Sequence, residues 1–143
     1  MKTIEILLVE DNPGDIILTI DALKEGKVLN NVNVVKDGEQ ALEYLRKQGN
    51  YSSSSIPDII LLDLNLPKKS GLQVLQEIKN DKDLKKIPVV ILTSSAADED
   101  VIIAYDNYVN CYIRKPVDLN SFMEVINKIE DFWLSFVKLP NQN

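Results

Sequence analysis

Four short apolar runs, each stopping at a residue able to do chemistry, constrain this chain more than any other feature. They are Ile4-Glu5-Ile6-Leu7-Leu8-Val9, Asp58-Ile59-Ile60-Leu61-Leu62, Val89-Val90-Ile91-Leu92 and the weaker Cys111-Tyr112-Ile113-Arg114. Runs this rich in Ile, Leu and Val, with little polar alternation, read as strands buried on both faces. Segments with helical spacing lie between them, and that alternation implies a parallel sheet with right-handed crossovers and helices on both faces. Such sheets bind ligands beyond the carboxyl ends of their strands. Glu10-Asp11, Asp63, Thr93 and Lys115 all fall there.

The helices follow from caps and periodicity. Asn12-Pro13 pairs an N-cap with a proline at the first helical position, and Ile16, Ile17, Ile20 and Leu23 make one apolar face, so the first helix runs over 13–25. A weaker strand, Val32-Asn33-Val34-Val35, precedes a helix carrying Ala41, Leu42 and Leu45. The stretch 49–57 is turn-rich and nonperiodic; it reads as a mobile loop entering the third strand, on the side away from the polar cluster. Ser70-Gly71 opens a third helix with Leu72, Leu75 and Ile78 inward, and 98–108 reads as a fourth. Asp118 caps a fifth, whose Leu119, Phe122, Ile126, Ile129, Trp133 and Phe136 form a continuous seam.

With 143 residues, the expectation is one domain spanning 1–143, with an extended C-terminal helix and tail and no effector domain. A net charge of −6 offers no clustered positive surface for phosphates, so direct nucleic-acid binding is disfavoured. One cysteine, Cys111, excludes an internal disulfide, and no apolar stretch approaches the roughly 20 residues that span a bilayer. The chain is expected to be cytoplasmic, without membrane contact. Histidine is absent, which removes His-dependent triads, His-ligated zinc and any role as a phosphohistidine donor.

Three carboxylates brought together would repel one another, so the cluster Glu10, Asp11 and Asp63 favours a bound cation. Hard oxygens suit Mg2+, which takes one or two protein carboxylates and fills its shell with water and phosphate. A carboxylate can attack phosphorus to give an acyl phosphate, a transfer that needs positioning and charge neutralisation more than acid-base chemistry. Lys115 and Thr93 can supply the remaining positive charge and hydrogen bonding.

The matching residues, Glu10-Asp11, Asp63-Leu64-Asn65-Leu66-Pro67 followed by Gly71, Thr93-Ser94, Tyr112 and Lys115-Pro116, resemble in order and spacing the receiver domain of bacterial two-component response regulators. The resemblance implies a doubly wound, flavodoxin-like α/β fold with a five-stranded parallel sheet of order 2-1-3-4-5. It makes Asp63 the phosphoacceptor, with Asp11, Asp63 and the backbone carbonyl of Asn65 as Mg2+ ligands and Glu10 assisting. Lys115 would pair with the phosphoryl group, Thr93 would be the switch hydroxyl, and Tyr112 the aromatic that turns inward. The bond before Pro116 would be cis. The partner would be a histidine kinase and the output surface the fourth helix, fifth strand and fifth helix.

The serine-containing extension before the third strand and the aromatic tail 129–140 are similar to single-domain regulators serving cyanobacterial phytochrome kinases. That likeness implies a homodimer through the output face and tail, with Trp133 and Phe136 as contact candidates. Asn110-Cys111 departs from the Gly-Ala common before the family's aromatic.

Two other functions are compatible with parts of the pattern. A binding module could keep the fold without being phosphorylated. An aspartate-nucleophile phosphatase needs a second acid two residues past the nucleophile, where this chain has Asn65. The expectation is therefore a phosphoacceptor signalling domain that catalyses its own phosphorylation and dephosphorylation, not a turnover enzyme.

Overall fold

In a computed structural model the described residues are 3–26, 28–95 and 97–140. Five strands, β1 (Ile4–Val9), β2 (Asn30–Val35), β3 (Ile59–Leu62), β4 (Val89–Thr93) and β5 (Cys111–Arg114), form one parallel sheet of order β2-β1-β3-β4-β5. The helices are α1 (Pro13–Glu25), α2 (Gly38–Leu45), α3 (Gly71–Lys79), α4 (Asp98–Asp106) and α5 (Leu119–Ile129).

Strand pleating sends successive side chains to opposite faces, so one run of aliphatics feeds two cores. Leu7, Val9, Ile60, Leu62 and Ile91 join Leu42, Leu75 and Ile78 on the α2–α4 side. Ile6, Leu8, Ile59, Leu61 and Val90 join Leu23, Phe122 and Ile126 on the α1 and α5 side. Both faces being covered explains why the central strands lack polar alternation.

The helix starts match their sequence signals. Asn12, Asp37 and Asp118 accept from the backbone N–H three residues on, and Ser70 forms a full capping box with Gln73. No helix among the described residues is long and apolar enough to cross a membrane.

Several expectations need correction. β2 begins at Asn30, because Asn30 and Asn31 extend the ladder opposite Ile4 and Glu5. α4 stops at Asp106, since Tyr108 takes a left-handed backbone (φ 62°) that an α-helix cannot continue. The 49–57 stretch contains a 3-10 turn, Gly49–Tyr51, with Tyr51 packed on Tyr44 at 5.4 Å. Nor is the α5 seam continuous. Leu119 and Phe136 are exposed, while Leu134 and Leu139 are buried. Leu119 opens α5 and faces solvent there, whereas beyond Ile129 a π-helical turn over Glu130–Phe136, with its wider winding, rotates the buried stripe away from the spacing set by α5.

Candidate functional site

Register alone assembles most of the site. β1 and β3 align Val9 with Leu62, so the next residues, Glu10 and Asp63, emerge side by side; the Asp63 N–H donates to the Val9 carbonyl at 3.0 Å. β4 aligns Thr93 with Arg114 of β5, and the Lys115 N–H donates to the Thr93 carbonyl at 2.6 Å. Pleating then sorts the side chains. Asp63 shares the parity of Leu61, Glu10 that of Leu8 and Lys115 that of Ile113, all on the α1 and α5 side, whereas Thr93 shares the parity of Ile91 on the other.

The carboxylates of Glu10, Asp11 and Asp63 can each place an oxygen within 4.8 Å of the others. Glu10 is 3% and Asp63 6% exposed, while Asp11 and Asn65 lie at the open mouth. An all-oxygen, triply acidic set, two of its carboxylates buried and the third at the mouth, fits a hard dication better than a soft one. Lys115 crosses the floor, its Nζ 2.5 Å from Glu10 Oε1, 2.8 Å from Asp15 Oδ2 and 3.4 Å from Asp63 Oδ2.

These neighbours set the protonation. Burial pushes Glu10 up to about 7, the Asp63 charge adds to this, and Lys115 offsets it only in part. For Lys115 burial acts downward, but the carboxylates of Asp15, Glu10 and Asp63 outweigh it and hold the ammonium protonated well above the ordinary lysine range.

The remaining candidates are placed as follows. Asn65 N–H donates to Asp63 Oδ1 at 3.4 Å, and its amide reaches Ser94 Oγ at 3.4 Å. Thr93 is fully buried; its hydroxyl accepts from the Ser95 N–H at 3.4 Å. Tyr112 is half-buried, packs against the α2–α4 core and donates to the Ser95 carbonyl at 3.0 Å, tying β5 to the loop between β4 and α4. Gly71 holds α3 against the acceptor, because a Cβ there would meet the Asp63 carbonyl oxygen at 2.3 Å and Leu64 Cα at 2.6 Å.

The expected cis bond before Pro116 is not formed; no described peptide bond is cis. A proline leaves the trans form only slightly favoured, and the flexible lysine stem delivers its ammonium to the acids from a trans bond.

Sequence reasoning missed one contributor to the site and one tie at the opposite edge of the sheet. Asp15, in the first turn of α1, bonds Lys115 directly; its signal was an acid four residues past Asp11, behind the Asn12-Pro13 cap. Asn110 uses its side-chain oxygen to accept from the Val89 N–H at 2.9 Å and from Lys79 Nζ at 3.1 Å. It thereby ties the entries of β4 and β5 to the end of α3.

Comparison with known proteins bears on the same residues. The family model described as "Response regulator receiver domain" matches residues 6–127. The response regulator Rcp1 of Synechocystis is 47% identical over 135 residues, covering 94% of this chain and 92% of Rcp1. The structure of the phosphorylated cyanobacterial phytochrome response regulator RcpA superposes with a TM-score of 0.96 at 48% identity, covering 98% of this chain and all of RcpA. The Mn2+-bound form of Rcp1 gives 0.93 at 46% identity, covering 95% of this chain and 98% of Rcp1.

Proposed function

This chain belongs to the response regulator receiver family, and on that premise we propose that it accepts a phosphoryl group on Asp63 from a phosphohistidine of a partner kinase. The carrying observation is the Asp63 carboxylate at the floor of an acidic cleft, beside Glu10 and facing the Lys115 ammonium. In the transfer an Asp63 oxygen forms the new bond to phosphorus as the bond to the imidazole nitrogen breaks, and that nitrogen keeps the electron pair. The chain's lack of histidine makes it a receiver of such groups, not their donor.

Asp11, Asp63 and the Asn65 carbonyl would hold Mg2+, with Glu10 alongside; the ion supplies charge neutralisation at the transferring group. Mn2+ in the Rcp1 structure and the hard donor set here support that reading. Lys115 pairs with the phosphoryl oxygens, its stem buried and its ammonium held protonated. Thr93 and Tyr112 carry the change outward: a shift of the Thr93 hydroxyl toward a phosphoryl oxygen alters the loop to which Tyr112 is bonded.

Output leaves through α4, β5 and α5. Ile102 and Tyr105 on α4 are exposed, and an apolar groove of about 290 Å³ lies between Cys111 and Ile113 of β5 and Val125, Phe132 and Trp133 beyond. A second copy of this chain is the proposed occupant, with Phe136 of the tail, 80% exposed, as a further contact candidate. The phosphorylated RcpA and Rcp1 likenesses support a phytochrome-type histidine kinase as the cytoplasmic partner.

Phosphotransfer from a panel of purified, autophosphorylated histidine kinases tests this. Label should move rapidly from one phytochrome kinase to the wild type and not to Asp63→Asn. Slow, equal transfer from every kinase would remove the phytochrome assignment.

A further inference from the structure

Lys115 has three ammonium protons and three carboxylate partners, and one of those partners stands apart. Glu10 and Asp63 belong to the acid trio that can face a cation; Asp15 does not. Asp15 projects from the first turn of α1, where Asn12 accepts from its backbone N–H and Pro13 opens the helix, so its position is set by the helix start. Its side chain is 25% exposed, against 4% for Glu10 and 6% for Asp63.

Occupancy of the site changes what each partner can do. A bound dication would engage oxygens of Glu10 and Asp63, and a phosphoryl group on Asp63 would offer Lys115 new oxygens. Asp15 alone is left outside both events, still bonded to the ammonium.

We propose that Asp15 is a positioning residue that shares Lys115 with the phosphoacceptor: it draws the ammonium away from the acid trio for the cation, and its negative charge opposes the phosphoryl group. Two opposite consequences follow from one carboxylate. Without it, Lys115 rests wholly on Glu10 and Asp63, and the resting site is both less negative and more crowded for a dication. With the dication already bound, the same loss commits Lys115 to the incoming anion and removes a repelling charge.

The inference rests on the acceptor reading of Asp63, and the test separates the two. Mg2+ is titrated calorimetrically into the wild type, Asp15→Asn and Asp15→Glu. Beryllofluoride, which mimics a phosphoryl group on a carboxylate, is then titrated at saturating Mg2+ and followed by fluorine NMR. Asp15→Asn is expected to bind Mg2+ roughly fivefold more weakly and beryllofluoride roughly threefold more tightly, the size expected for a unit charge about 4 Å away when water screens it fully. Asp15→Glu should return both toward the wild type, and added salt should shrink both shifts. A merely structural role for Asp15 would weaken both ligands together, and that outcome, or no change in either, overturns the proposal alone. A wild type that binds neither probe overturns the acceptor reading and this inference with it.

Discussion

Raising the pH from 5 to 8 in the metal-free protein should lower its stability, and one carboxyl should account for most of the slope. The chain has no histidine, so few groups with ordinary pKa values titrate in that window. Glu10 does, because burial, aided by the Asp63 charge, lifts it from 4.5 to about 7. The unfolded chain releases this proton near 4.5, whereas the folded chain holds it until about 7. The folded state therefore binds more protons between those values, and the stability present below 4.5 is lost as the pH rises through 7. At 1.36 kcal/mol per pKa unit the gap amounts to about 3 kcal/mol. Glu77, whose pKa is lowered by its bond to Lys69, acts only at lower pH and does not blur the window. Urea unfolding with EDTA, followed by the fluorescence of the single tryptophan, Trp133, measures the effect. The wild-type midpoint should fall by roughly 1–2 M urea from pH 5 to 8, while Glu10→Gln stays nearly flat. A wild type as flat as the variant would refute the placement of a buried, proton-holding Glu10 beside Asp63.

Other perturbations test separate parts of the structure. Gly71→Ala drives a methyl into the Asp63 and Leu64 backbone, which cannot swing aside as a side chain can; it should cost about 1–3 kcal/mol in urea unfolding and slow phosphorylation by acetyl phosphate. Asn110→Ala leaves the Val89 N–H and one Lys79 proton to water, and should lower stability by about 1 kcal/mol with beryllofluoride binding retained. Phe136→Ser removes an exposed ring without opening the core, so sedimentation should show weaker self-association at unchanged melting temperature. Unaltered association would move the contact off the tail.

Much of the fold was readable because its signals are local and agree with one another. β1 and β3 end where Ile, Leu and Val give way to Glu10 and Asp63, β4 runs one residue further to include Thr93, and the helix starts carry their own caps at Asn12, Asp37, Ser70 and Asp118. In a parallel sheet those ends share one edge, so the acids and Lys115 could be grouped before their distances were known. What could not be read depends on placement between elements. Asp15 looks like any acid in a first helical turn, where a negative charge suits the helix dipole; only the packing of α1 against α5 on one face of the sheet, which brings Lys115 within reach, makes it a Lys115 partner. The π turn escaped notice because Trp133 and Phe136 continue the three-four spacing, although Leu134 and Leu139 complete the core instead. Asn110, legible only as a departure from a family habit, proves to be a hydrogen-bonded tie. The isomer at Pro116 is decided by a difference too small for sequence to show.

The most direct test of the account is the intact mass of the protein after incubation with acetyl phosphate and Mg2+. The wild type should gain one phosphoryl group, removable by hydroxylamine and prevented by EDTA, and Asp63→Asn should gain none. An unmodified wild type, or a gain that survives in Asp63→Asn, would contradict the assignment of Asp63 as the acceptor.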